Sequence, residues 1–366
     1  MNRKMVLSLL IGAAVSGVAF YFAFKNVPFG DLIAYLRRIN YWWVVPSTVG
    51  IMAAFLLRAV RWRYILNATE TVGFAGAYHP LMIGFMMNSV LPGRVGEVAR
   101  PLILRRREEI PFSTGFATVA VERVFDVGLM VALFVFVMGT VTIDPQMEIE
   151  FSGFVLDRET LVGLGRNMSV LALALLMFIV LVSVGPIRSR INRTLLQAPA
   201  LLFFTPRPFQ SAVRERVSRP IAGMVDNLGS GFALLRDPVR IAGCIGLTVL
   251  IWVLQVVTYY IVMFGAPGID ITFTEMTAVM VIICFFIALP SVPGYWGIWE
   301  AGGVFAMRLF GVPAKEAAGF TLANHAIQMF PVFIAGIVSA WIIGVNVINV
   351  SEEKPDPAPA GAGNRI

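Results

Sequence analysis

The stretch Asn88-Ser89-Val90-Leu91-Pro92-Gly93-Arg94-Val95-Gly96-Glu97 closes an apolar arm, Ala77 to Leu91, with a Pro-Gly-x-x-Gly break followed at once by a carboxylate. A second arm, Met276 to Leu289, ends at Pro290-Ser291-Val292-Pro293-Gly294-Tyr295-Trp296-Gly297, where the same pattern recurs and Glu300 follows. As helices these arms rise only about 21 Å at roughly 1.5 Å per residue, short of a hydrocarbon core of roughly 30 Å. Each is therefore read as a half-depth, re-entrant or broken hairpin, over about 77–104 and 274–310. The matching pattern makes them a weak internal repeat. The simpler alternative is that both breaks are ordinary kinks or loops whose neighbours satisfy the freed backbone groups.

Around the two arms the chain is a membrane sequence. It has 366 residues, 58% hydrophobic and 14% charged, with a mean hydropathy of +0.79, far from the composition of a soluble domain. Runs long enough to cross lie at Met5 to Phe24, Asn167 to Ile187, Ile241 to Ile269 and Ala317 to Ser351, and shorter ones at Tyr41 to Leu57 and Val127 to Ile143. Lipid offers backbone groups no partner, so such runs must be helices. The first run ends in Phe20-Tyr21-Phe22-Ala23-Phe24 without a small-residue cleavage pattern and is read as a retained span. The net charge of +7 sits in loops between apolar runs, which argues for topology and lipid phosphates over nucleic acid. Cys244 and Cys284 lie in apolar stretches and imply packing, with neither a disulfide framework nor a metal site.

Loop charge sets the expected topology. Arg3 and Lys4, then Arg58, Arg61 and Arg63, then Arg105-Arg106-Arg107 are assigned to the cytoplasm, as is the loop of about 185–240 with nine arginines against Glu215, Asp226 and Asp237. That loop is expected to hold an interfacial amphipathic helix around Val213 to Leu235. Asp144, Glu148, Glu150, Asp157 and Glu159 against Arg158 put the 140–160 segment outside, and Asp270 and Glu275 do the same for their loop. Lys25, Arg37 and Arg38 run against this scheme. The expectation is a single all-α polytopic membrane domain over 1–350 and a disordered cytoplasmic tail over 351–366. It comprises six full spans plus two hairpins entered from opposite sides as an inverted-topology repeat, with both termini cytoplasmic in the cytoplasmic membrane. Paired, interrupted apolar segments in matching halves point to a transporter's midplane site.

Ionisable residues at membrane depth are costly, so they tend to be paired and functional. Arg94, Glu97 and Arg100 follow the first break, and Glu122, Arg123 and Asp126 lie on the next span, Glu122 and Asp126 sharing a face at i, i+4. Guanidinium groups with opposing carboxylates suit a phosphate-bearing head group, and the alternative is a set of structural salt bridges near the interface. Glu300 has no basic residue near it in sequence before Arg308, which admits a protonated, proton-coupling carboxyl or one facing a water-filled vestibule. His325, with Asn324 and Gln328, forms a polar face that by itself reads as an interhelical hydrogen-bonder. Arg58, Arg61, Trp62 and Arg63 read as interface anchors. No soluble-enzyme constellation, nucleotide loop or metal spacing is present, and no cofactor is expected.

Three segments, Asn88 to Pro101, Val121-Glu122-Arg123-Val124-Phe125-Asp126 and Pro293-Gly294-Tyr295-Trp296-Gly297-Ile298-Trp299-Glu300, together resemble the lysylphosphatidylglycerol synthase transmembrane, or flippase-like, family. The resemblance covers nearly everything but the tail. It implies movement of an aminoacylated or other anionic lipid between leaflets; without the soluble aminoacyl-transferase domain of larger members, lysyl transfer is not expected. On this basis the substrate contacts are Asn88, Arg94, Glu97, Arg100, Glu122, Arg123 and Asp126, and the gates are Pro92, Gly93, Gly96, Pro293, Gly294 and Gly297. Glu300 and His325 are candidates for proton coupling. The expected partner is a membrane lipid with an anionic head group, with a separate lipid synthase or a second copy of the chain as further possibilities. The rival classes are a membrane-embedded enzyme acting on a lipid and a non-transporting partner of a synthase.

Overall fold

The computed structural model describes residues 3–91, 93–141, 149–151, 154–156, 185–201, 207–219 and 237–346, with single positions in 163–181 and 222–225. The expected span at 167–187, most of the acidic 140–160 segment, the greater part of the expected amphipathic helix, the tail and Pro92 lie outside the described residues or are only touched by them.

The described chain is helical apart from a short antiparallel hairpin, β1 (Ile149–Phe151) with β2 (Phe154–Leu156). The first helix, α1 (Arg3–Phe24), is followed by α2 (Phe29–Arg38), an amphipathic helix that buries Leu32 and Tyr35 while Arg37 and Arg38 stay exposed in its last turn. Cations there complement the partial negative charge of a helix C-terminus. The Tyr35 hydroxyl donates to the Pro267 carbonyl at 3.0 Å.

Among the described residues, three helices are long and apolar enough to cross a membrane: Tyr41–Leu66, Pro238–Met263 and Ala314–Ile342. The first joins a short 3-10 turn to α3 (Val44–Leu66), its start fixed by the Asn40 side chain accepting from the Trp42 N–H at 3.1 Å. Trp42 beside it is exposed, as suits an aromatic anchor at a lipid–water boundary. α6 (Phe112–Thr140), 29 residues long, carries Glu122, Arg123 and Asp126 in its interior. Beyond α7 (Gly185–Gln197) and α8 (Arg207–Val213) comes α9 (Pro238–Met263), which begins with Asp237 as N-cap and proline in its first turn and packs along α3. The last helix, α12 (Ala314–Ile342), turns Phe330, Ile334, Ile337, Val338 and Trp341 outward, an apolar surface suited to lipid.

Each of the two breaks is flanked by a pair of helices. α4 (Phe74–Val90) and α5 (Val95–Glu108) flank the first break, α10 (Phe273–Phe286) and α11 (Ile298–Leu309) the second, and in each pair the arms pack on each other. The first crossing is close because it is made of glycines: a Cβ on Gly96 would overlap the Gly84 carbonyl, and the Gly96 N–H donates to Asn88 Oδ1 at 2.8 Å. Gly96→Ala is therefore expected to cost about 1–3 kcal/mol, the usual range for overpacking, read as a lower unfolding temperature in detergent. Gly139→Ala, with nothing within 4 Å of the added carbon, serves as the silent control; equal behaviour of the two variants would discount the crossing. α12 lies against both hairpins, through Gly336 on Met82 and Met86 of α4 and through Thr321 on Gly303 of α11. α1 is keyed into the second break, where Gly12 and Gly297 leave no room for a side chain against Ser291 and Ser16, and the Val292 N–H donates to Ser16 Oγ at 3.0 Å.

Candidate functional site

The two breaks share a backbone geometry. Each places a glycine and then a non-glycine residue in the left-handed region: Gly93 (φ 77°) and Arg94 (φ 56°) in the first, Gly294 (φ 72°) and Tyr295 (φ 62°) in the second. Left-handed backbone is disfavoured for a residue with a side chain and persists where surrounding contacts over-determine it. One such contact joins the breaks, for Arg94 Nη2 donates to the Ile287 carbonyl at the end of α10, at 3.0 Å. Gly297 (φ 86°) adds a further left-handed position just before α11.

Between the breaks lies a cavity of about 230 Å³, walled by α3, α4, α5, α6, α9, α10, α11 and α12 and by both breaks. Its charged lining consists of Arg58, Arg94 and Arg123 against one carboxylate, Glu97. Arg58 is buried, and its guanidinium lies 5.6 Å from the Phe55 ring centre and 5.4 Å from that of Trp252. It has no ion pair among the described residues, and its Nε lacks an acceptor, as do Arg123 Nε and Trp299 Nε1 on other walls. These orphans are all donors. Buried donors without acceptors are destabilising, so these three atoms are a cost that the fold carries in the cavity wall.

Behind the cavity the other charges neutralise one another. Arg61 Nη1 meets Asp126 Oδ1 at 2.8 Å and Thr248 Oγ1 at 2.7 Å, and its Nη2 lies 3.5 Å from Glu122 Oε1. Arg100 Nη2 donates to Glu122 Oε2 at 2.5 Å, with its guanidinium 4.1 Å from the Trp62 ring centre. Trp62 Nε1 donates to Thr118 Oγ1 at 3.0 Å, and Trp252 Nε1 to Asp126 Oδ1 at 3.1 Å. Two guanidinium groups and two carboxylates thus form a neutral, buried array joining α3, α5, α6 and α9. Arg123 Nη2 lies 3.4 Å from Asp126 Oδ2 and links the array to the cavity wall.

Of the expected substrate contacts, Asn88, Arg94, Glu97 and Arg123 line the cavity, whereas Arg100, Glu122 and Asp126 stand one layer back in the array. Two sequence readings are corrected. Arg58, Arg61 and Trp62 are not interface anchors, since all three are buried. They continue the inward stripe of α3 through Ile51, Phe55 and Ile65, and the signal that identifies them is the pair of carboxylates on α6 that need cations. Arg63 alone of that group reaches outward from the array, donating from Nε to the Val72 carbonyl at 3.0 Å.

Glu300, expected without a partner, has two. Oε1 lies 2.6 Å from His325 Nδ1, and Oε2 accepts the Gly297 N–H at 2.7 Å. His325 Nε2 lies 2.9 Å from the Gly294 carbonyl, and the imidazole is stacked on Trp299 at 4.4 Å and covered by Trp296 at 4.3 Å. Glu300 and His325 are thus brought together across 25 residues, at the second break and beside the cavity.

Comparison with known proteins places these features in context. A family model described as the lysylphosphatidylglycerol synthase TM region matches residues 9–336. A protein named glycosyltransferase AglD, from Haloferax volcanii, is 27% identical over 339 residues, covering 86% of this chain and 51% of that protein. A UPF0104 membrane protein from Methanothermobacter thermautotrophicus is 32% identical over 127 residues, 34% of this chain and 35% of the relative. Another from Methanocaldococcus jannaschii is 27% identical over 111 residues, 30% and 33% respectively. The chain spans about half or less of the length of the curated relatives it matches.

Proposed function

This chain belongs to the lysylphosphatidylglycerol synthase TM region family, and from that premise we propose that it is a lipid flippase: it takes a phosphate-bearing, anionic or aminoacylated head group into the arginine-lined cavity and moves it across the cytoplasmic membrane. The observation that carries this reading is the buried Arg58, without an ion pair among the described residues, on the same space as Arg94 and Arg123, with Glu97 as the only opposing carboxylate among the cavity's described lining. A cavity with surplus guanidinium, walled by rings of Phe55, Trp252 and Trp299, suits phosphate oxygens, which guanidinium grips in a bidentate fashion. The left-handed pairs recurring in both breaks support an internal repeat; in the proposed arrangement the repeat is inverted within six full spans, both termini are cytoplasmic, and the broken ends serve as gates.

In sealed vesicles containing the purified protein and a fluorescent phosphatidylglycerol, leaflet exchange is expected to be fast with the natural chain and at background with Arg94→Gln or Glu97→Gln, both of which elute as folded protein. Natural rates in those variants would refute the assignment. For topology, single cysteines at Glu109 and Asp270, exposed residues at the open ends of the two hairpins, in a chain without Cys244 and Cys284 are expected to react with impermeant reagents from opposite sides.

A second reading, a membrane-embedded enzyme that transfers a group to or from a lipid, draws on the name of the Haloferax volcanii relative. It requires a chemically altered lipid, which mass analysis of the vesicle lipids separates from exchange alone.

A further inference from the structure

We infer that Glu300 and His325 form a proton-binding site, and that the bound proton latches the second hairpin. The case starts from hydrogen-bond chemistry. His325 places Nδ1 at 2.6 Å from a carboxyl oxygen and Nε2 at 2.9 Å from a backbone carbonyl. A neutral imidazole has one N–H and one lone pair, and a carboxylate and a carbonyl are both acceptors. The two contacts therefore need two protons on the pair: both on the ring with Glu300 ionised, or one on Nε2 and one on the Glu300 carboxyl. Either arrangement holds one proton more than a neutral imidazole beside a carboxylate.

Removing that proton sets lone pair against lone pair at one of the two contacts. Both side chains are at most 1% exposed, and Trp296 and Trp299 cover the ring, while His325 and Gly294 border the cavity on one side. The direct contact is lost, whether the pair parts or a cavity water enters between ring and carbonyl. What it fastens is the break itself: the Gly294 carbonyl through His325 and the Gly297 N–H through Glu300, that is, both sides of the turn that carries the left-handed Tyr295. With the proton present, the break is tied to α12; with it gone, the turn loses one or both ties while α1 still holds Val292.

The other ionisable groups on this cavity are Arg58 of α3, Arg94 and Glu97 of the first hairpin and Arg123 of α6, with the uncharged Tyr259 of α9, Cys284 of α10 and Tyr295 of the break. Tyr35, on α2, is engaged with Pro267, and the polar groups that α4 presents here, Asn88 and Ser89, do not titrate.

The chain has two histidines, which makes the test direct. Full-length protein labelled with 15N in histidine and 13C in glutamate carboxyls is placed in lipid nanodiscs, with His79→Gln and Glu300→Gln used for assignment. The expected result is one shared step on raising the pH, seen together at the His325 ring nitrogens and the Glu300 carboxyl. Glu300→Gln should abolish it without unfolding, because the amide donates to Nδ1 and accepts from Gly297 with no extra proton. A ring that titrates in the Glu300→Gln protein as it does in the natural one, or independent steps at the two groups, overturns the proposal. The Arg58→Gln protein should keep the shared step. Its persistence there while leaflet exchange is lost would separate the proton site from the lipid reading, and its disappearance would show that the proton belongs to the arginine cluster.

Discussion

Arg61→Met is expected to destabilise the protein by about 3–5 kcal/mol, the cost of stripping one partner from a buried ion pair. Arg61 is wholly buried and is held by Asp126, Glu122 and Thr248. Without it, Asp126 keeps only the longer contact with Arg123 and the indole of Trp252, and a carboxylate is left in a setting where charge is poorly solvated. The measurement is thermal unfolding of purified protein in detergent, together with the fraction recovered as a monodisperse species. Replacing Arg61 and Asp126 together, by methionine and leucine, should recover much of the loss, since removing both charges removes the uncompensated one. If Arg61→Met unfolds at the natural temperature, the array does not hold α3, α6 and α9 together.

Arg58→Gln is expected to act in the opposite sense. Arg58 has aromatic neighbours and no ion pair among the described residues, so its loss should leave unfolding unchanged or raise its temperature, because an isolated buried charge opposes folding. Ligand binding should fall about ten- to a hundredfold. A hydrogen bond to a charged group contributes about 1.5–3 kcal/mol, and a factor of ten in affinity corresponds to about 1.4 kcal/mol. Arg58→Lys should recover little, since an ammonium does not reproduce the planar, bidentate fork. The readout is stabilisation by phosphatidylglycerol against phosphatidylcholine in the same detergent. Equal stabilisation of natural and Arg58→Gln protein by phosphatidylglycerol would remove Arg58 from the site.

The hairpins were legible because their signal is local. Half-length apolar arms and a Pro-Gly-x-x-Gly break mark a short helix, a turn and a second helix, and α4 to α5 and α10 to α11 follow within a few residues of the expected limits. The direction in which α3 faces was not legible. In a soluble protein a polar face identifies the outside of a helix, but here lipid and protein interior are both apolar: Val49, Leu56 and Val60 face outward while Ile51, Phe55 and Ile65 face inward. An arginine on such a helix reads equally well as an anchor or as a core cation. The Glu300–His325 contact was hidden for another reason, since it depends on the register between α11 and α12, and each residue taken alone has a commonplace explanation. The shared conformation at Gly93-Arg94 and Gly294-Tyr295 was foreshadowed by the repeated pattern, though that pattern did not reveal that the two turns touch.

That touch gives Arg94 two competing claims on one guanidinium. It is one of the cavity's three cations, and it is also the tie from the first turn to the carbonyl of Ile287. On the proposed reading, a guest that draws this side chain inward takes it from Ile287, so arrival of the cargo and release of one elbow from the other would be a single event, much as a key both fills a lock and withdraws its bolt.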